Sequence, residues 1–173
     1  STWDTANVTS LAYTFCGTAA FNQPLNTWDV SQVQNFTGTF AEAGAFDQDI
    51  SNWNPIAATS VTIMFRSSVF NNGGQPMPKT ATTWNFPLLT STHQMFQAAH
   101  NFNQDISSWD VSNITDMSNM FEYTGAFNSS LDGWNTGKVT DFSAMFANTA
   151  AFNQDLSNWD TSSATNQIGR AHV

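Results

Sequence analysis

The residues able to do chemistry in this chain recur at intervals rather than converge. One residue after each of seven tryptophans stands Asp4, Asp29, Asn54, Asn85, Asp110, Asn135 or Asp160. One residue before them stand Thr27, Asn52, Thr83, Ser108 and Asn158, with Thr2 and Gly133 in the same place. Polar side chains repeated in rows suit hydrogen bonding to a protein or glycan surface. They do not build the convergent acid–base pocket that a catalyst needs. Asp49, Asp105 and Asp155 form a second, partial row that offers weak Ca²⁺ binding. A regular polar lattice also orders water as ice-binding surfaces do, although that idea prefers a uniform threonine row. His93 and His100 lie around one Met-Phe segment, and two histidines alone make a weak metal case. No Walker loop, GxSxG, HExxH or CxxC occurs. The residues point to a non-enzymatic protein with no catalytic residue, no metal and no cofactor.

Composition narrows the partners. The chain carries 13 acidic residues against 4 basic ones, a net charge of −9. That balance repels nucleic acid and anionic lipid, which need a basic patch. Protein and glycan ligands remain, with no nucleic acid and no membrane span, since no apolar run reaches the length of a span. Cys16 is the only cysteine, so no intrachain disulfide forms, and with no basic neighbour it reads as a small buried hydrophobe. Four sequons, at Asn7, Asn35, Asn113 and Asn128, are glycosylation candidates if the chain enters a eukaryotic secretory route.

The elements that must position these rows are set by a repeat. Trp3, Trp28, Trp53, Trp84, Trp109, Trp134 and Trp159 are spaced 25, 25, 31, 25, 25 and 25 residues apart. Two phenylalanine series keep the same register, Phe15, Phe40, Phe65, Phe96, Phe121, Phe146 and Phe21, Phe46, Phe70, Phe102, Phe127, Phe152. An aliphatic residue stands three before the tryptophan at Leu25, Ile50, Ile106, Leu131 and Leu156, with Ala81 in the irregular unit. A fixed period of this length marks units that bury their apolar faces against one another. The reading is one solenoid domain over 1–167, with six repeats, a partial seventh, and an inserted loop at 71–83.

Within a unit, Ile106, Trp109 and Val111 have the spacing of a leucine-rich-repeat strand, and Met117, Met120 and Phe121 recur at helical spacing behind a cap at Thr115 or Asp116. The expected fold class is an α/β repeat solenoid. It is an LRR-like right-handed coil with a short parallel β-sheet on one face and short helices or 3₁₀ turns on the other. On that fold the tryptophan-flanking residues form two rows on the polar sheet face. The asparagines Asn22, Asn71, Asn103, Asn128 and Asn153, with Asp47, read as a ladder at a corner.

The stretch "FNQDISSWDVSNITDMSNMF" (102–121) is similar to the repeat of the BspA-like bacterial surface proteins, a leucine-rich-repeat-like family also found in mycoplasma lipoproteins. "AFDQDISNW" (45–53) and "AFNQDLSNWD" (151–160) carry the same resemblance. It implies a surface-displayed adhesion or binding module, extracellular or at the cell surface, with no catalytic residues to transfer. The closing "QIGRAHV" breaks the repeat, and 168–173 can be written with the codons of a common sequencing adapter, so these residues read as an adapter scar. That origin raises a second class. It is a structural or linker subunit docked in a larger, algal organellar assembly in an organelle lumen, whose uncapped ends pack against further repeats or other subunits.

Overall fold

The computed structural model describes residues 3–77, 80 and 83–166; Thr2, Ala81 and residues 168–173, read above as an adapter scar, lie outside them. The chain winds as a stack of coils, which we number by their closing tryptophans: coil 1 is 4–28, coil 2 29–53, coil 3 54–84, coil 4 85–109, coil 5 110–134 and coil 6 135–159. Residues 160–166 begin a seventh.

The expected α/β fold class is not what forms. Among the described residues there is no α-helix and no sheet. The one helical piece is a 3₁₀ turn, Asn72–Gly74, and strand pairing is confined to isolated parallel bridges such as Ser10 to Asn35 and Asp116 to Asp141. The backbone explains why. "IxxW" is a tight turn rather than a strand, because the Trp109 N–H returns to the Ile106 carbonyl at 3.0 Å. "VxxI" closes likewise, Ile114 to Val111 at 2.9 Å.

The segment read as a helix is the one that joins the coils. Met117, Asn119, Phe121 and Tyr123 donate to the carbonyls of Asp141, Ser143, Met145 and Ala147 in the next coil, at 2.8–3.0 Å. The intervening N–H groups of Met120, Glu122 and Thr124 turn back three residues within their own coil. Asn119 and Tyr123 take φ of 57° and 58°, the left-handed conformation required at the third residue of such a turn. Residues in that conformation interrupt both a helix and an extended strand. The result is a ladder of turns with the register of a parallel sheet but not its backbone.

The core is aromatic. Phe15, Phe40, Phe65, Phe96, Phe121 and Phe146 stack coil on coil with ring centroids 5.4–5.8 Å apart. The second series stacks beside it at 5.8–6.4 Å. Within a coil the two rings lie only 3.9–4.2 Å apart. Each fully buried ring contributes about 1.5–3 kcal/mol by leaving water. Met64, Met95, Met120 and Met145 fill the space beside them, all buried. Cys16, expected inside, is exposed: it lies in the outward part of the turn ladder, one residue from the left-handed Gly17.

The irregular coil is anchored from within. Met77 takes an aliphatic place: it is fully buried, and its carbonyl accepts the Trp109 indole N–H at 2.9 Å. Asn72, also fully buried, accepts the Ile50 N–H at 2.8 Å and donates to the Gln75 carbonyl at 2.8 Å. The extra residues therefore divide into a piece before Met77, pinned by Asn72, and a piece after it.

Candidate functional site

One local device turns most of the corners. In "DISSW" the Asp105 carboxylate accepts the Ser107 N–H at 3.0 Å, while Ile106 and Trp109 close the turn from inside. "DVSNI" repeats this with Asp110 and Ser112 at 3.1 Å, and "DMSNM" with Asp116 and Ser118 at 2.9 Å. An Asx side chain that imitates a backbone turn is the reason Asp, Asn and Ser dominate these positions.

This places the residues singled out in the sequence. Asp4, Asp29, Asn135 and Asp160 cap the N–H two residues on, as Asp110 does. Asn54 and Asn85 do not. Pro87 has no N–H to offer Asn85, and Ile56 turns to the Asn54 backbone carbonyl instead, leaving Asn54 Oδ1 buried with no partner. Thr27, Asn52, Ser108 and Asn158 stand exposed at the tip of the preceding turn, and Thr83 is half-buried there. The two rows thus meet at adjacent corners, not on a sheet face. Asp49, Asp105 and Asp155 cap Ser51, Ser107 and Ser157.

Capping sets the electrostatics. The Ser31, Ser107 and Ser143 hydroxyls and N–H groups hold the carboxyls of Asp29, Asp105 and Asp141 below their ordinary value. For Asp155 and Asp160 the N–H groups of Ser157 and Ser162 do so first, then their hydroxyls. Among the described residues no three His, Cys, Asp or Glu side chains gather where they could hold a metal. His93 Nδ1 meets Ser118 Oγ at 2.7 Å, and His100 Nδ1 meets the Tyr123 carbonyl at 3.1 Å.

Of the sequons, Asn7 and Asn113 are exposed at turn tips. Asn35 is a corner cap, holding the Thr37 N–H at 2.9 Å, and Asn128 belongs to the asparagine ladder, holding the Asn153 N–H at 2.9 Å. The same ladder runs from Asn22 to Asp47, Asp47 to Asn71, Asn71 to Asn103 and Asn103 to Asn128 at 2.7–3.0 Å.

Sequence reasoning missed a more uniform row. Six residues after the tryptophans stand Thr9, Thr59, Thr90, Thr115, Thr140 and Thr165, with Gln34, all exposed. The hydroxyls of Thr59, Thr115, Thr140 and Thr165 donate to the carbonyl of the same position one coil earlier, at 3.0–3.2 Å. The signal was the recurrent Thr before the third corner.

Residues 1–78 and 67–169 match the family described as Mycoplasma protein of unknown function, DUF285. The chain belongs to this repeat family. No curated protein and no solved structure matches it. For this DUF285 chain the two matches span the coil stack, including the irregular coil where they overlap. No helix among the described residues is long and apolar enough to cross a membrane.

Proposed function

We propose that this DUF285 chain is a non-catalytic binding module, of the BspA-like surface-displayed kind, that recognises a protein or glycan along its polar corners. One observation carries the reading: Thr27, Ser108 and Asn158 are exposed beside carboxylates already fixed by their own turns, and Asn52 is exposed at the same place in its coil. Polar groups held in place before binding lose little freedom when a ligand arrives. An elongated ligand meets a pair of residues at the same place in each coil, so weak contacts add along the stack. Extracellular or cell-surface display follows from this reading, and the acidic surface favours a neutral or basic partner.

The test is a glycan array and a panel of extracellular matrix proteins probed with the chain, then with Thr27→Arg, Asn52→Arg and Asn158→Arg. These exposed positions tolerate the change, so binding should fall at least about tenfold while the melting temperature stays put. Unchanged binding in all three variants would remove the corners from the reading.

A further inference from the structure

We propose that the corner between coils 3 and 4 is a hinge, at which coils 1–3 swing open from coils 4–6 about the turn ladder. The corner consists of residues 54–61 in coil 3 and 85–92 in coil 4. At the other joints the equivalent strips are stitched together. The N–H of Gln34 donates to the Thr9 carbonyl, Thr59 to Gln34, Thr115 to Thr90 and Thr140 to Thr115, at 2.8–2.9 Å. Leu11, Phe36, Thr92 and Met117 donate to the carbonyls of Asn35, Ser60, Asp116 and Asp141, also at 2.8–2.9 Å. Parallel bridges accordingly run through 10, 35 and 60, and through 91, 116, 141 and 166. They do not run from Ser60 to Ser91, and among the described residues no hydrogen bond joins 54–61 to 85–92.

The side chains at this corner account for the gap. Pro55 and Pro87 have no N–H to give. Thr92 stands in the column of Leu11, Phe36, Val61, Met117 and Phe142, where a buried hydroxyl finds no acceptor. Among the described residues four buried side-chain polar atoms lack a partner, and three lie in or beside these strips: Asn54 Oδ1, Trp84 Nε1 and Thr92 Oγ1. In the closed stack each carries a desolvation penalty that water relieves once the corner opens. Trp84 also holds a φ of 47°, a conformation unfavourable for a bulky side chain. Ile56 and Leu88, 40% and 58% exposed, stand on the two strips where the other coils carry polar residues.

The far edge of the joint supplies the axis. Ile63, Phe65 and Ser67 donate to the carbonyls of His93, Met95 and Gln97 at 2.8–3.2 Å, and Phe65 stacks on Phe96 at 5.4 Å. Phe70 and Phe102 stack 6.4 Å apart, the widest step of the second phenylalanine series. Three backbone hydrogen bonds hold this joint, where six hold coil 4 to coil 5. A swing here changes the step between the corners of coils 3 and 4 and leaves the other steps of the stack fixed.

Backbone hydrogen exchange of the whole chain reads the opening directly. The bonded N–H groups of Ile63 and Phe65 should exchange at least about tenfold faster than those of Phe40 and Phe96, which hold the flanking joints. A disulfide across the corner is the counter-test, since paired coils stand about 5 Å apart, within disulfide reach. In a Cys16→Ser background, Thr59→Cys with Thr90→Cys should close the corner under mild oxidation. Ile63 and Phe65 should then slow to the rates of Phe40 and Phe96. Thr115→Cys with Thr140→Cys, at the same exposed position of a stitched joint, should form its disulfide and leave Ile63 and Phe65 unchanged. Equal exchange at Ile63, Phe65, Phe40 and Phe96 in the unaltered chain overturns the hinge. So does a pair at 59 and 90 that stays reduced while the control pair closes, because the corner is then a fixed gap. A closed staple that leaves Ile63 and Phe65 as fast as before overturns it as well.

Discussion

Ala98 and Ala144 should become more stable when replaced by glycine, the reverse of the usual rule. Their φ angles are 54° and 52°, where an L-residue pays roughly 1–2 kcal/mol because its Cβ crowds the following carbonyl. Glycine escapes that cost but enlarges the unfolded ensemble by about 0.4–1 kcal/mol. The net gain is about 0.5–1 kcal/mol per site, or roughly 1–4 °C in melting temperature for a chain of this size. Ala98 and Ala144 sit in coils 4 and 6, so the two gains should add. Ala147→Gly is the control: its φ is not positive, and it should lose about 0.5–1 kcal/mol. The opposite substitution completes the argument. Gly38 has φ 59°, and a Cβ there would stand 2.6 Å from a ring carbon of Tyr13, so Gly38→Ala should cost at least about 1 kcal/mol. Removing the ring with Tyr13→Ser should return the steric part of that loss but not the conformational part. Thermal melts followed by circular dichroism read all five variants. If Ala144→Gly loses as much stability as Ala147→Gly, left-handed strain is not what these turns store.

Trp134→Phe keeps an aromatic ring but deletes the N–H that meets the buried Ile106 carbonyl at 3.1 Å, and should cost about 1–3 kcal/mol in urea unfolding. Asn103→Ala should lose about 0.5–1.5 kcal/mol by releasing the Asn128 N–H. Asn103→Asp should keep most of it, because Asp47 already does this work for Asn71. Acid should destabilise the stack. Asp29, Asp105, Asp141, Asp155 and Asp160 are all held below their ordinary value. Their contribution is complete above the unfolded carboxylate range, near pH 4, and is lost as pH falls through the folded values. A melting temperature that stays flat from pH 5 to pH 2 would show that the caps carry no such linkage.

The period of the coil was legible because one tryptophan and two phenylalanines per unit leave no other register in which the rings stack. What the coil does between those rings was not. Ile106, Trp109 and Val111 match a strand by spacing alone, and spacing cannot separate an extended run from two successive turns whose first and last residues both point inward. The deciding signal was polar. Asp105, Asp110 and Asp116 each precede an apolar residue and a serine, and that triplet writes three capped turns within residues 105–118. A periodicity argument that follows only apolar residues passes over it.

The same triplet changes what the polar rows mean. Asp29, Asp110 and Asp160 stand at the surface for a reason internal to the coil, since each spends a carboxylate oxygen on its own turn. Their recurrence is therefore no evidence of a ligand. Thr27, Asn52, Gly133 and Asn158 at the neighbouring turn tips vary among Thr, Asn and Gly, while the residues two positions on keep to Asp or Asn. Variation is where recognition can be written on a repeat whose fixed positions are all committed to folding. A ligand read by this chain is then read mainly by the tips, with the capped carboxylates supplying a constant acidic border. That ordering is measurable, because Asn52→Arg and Asn158→Arg should shift the choice of ligand, whereas Asp29→Asn, which keeps the capping oxygen, should weaken every ligand alike.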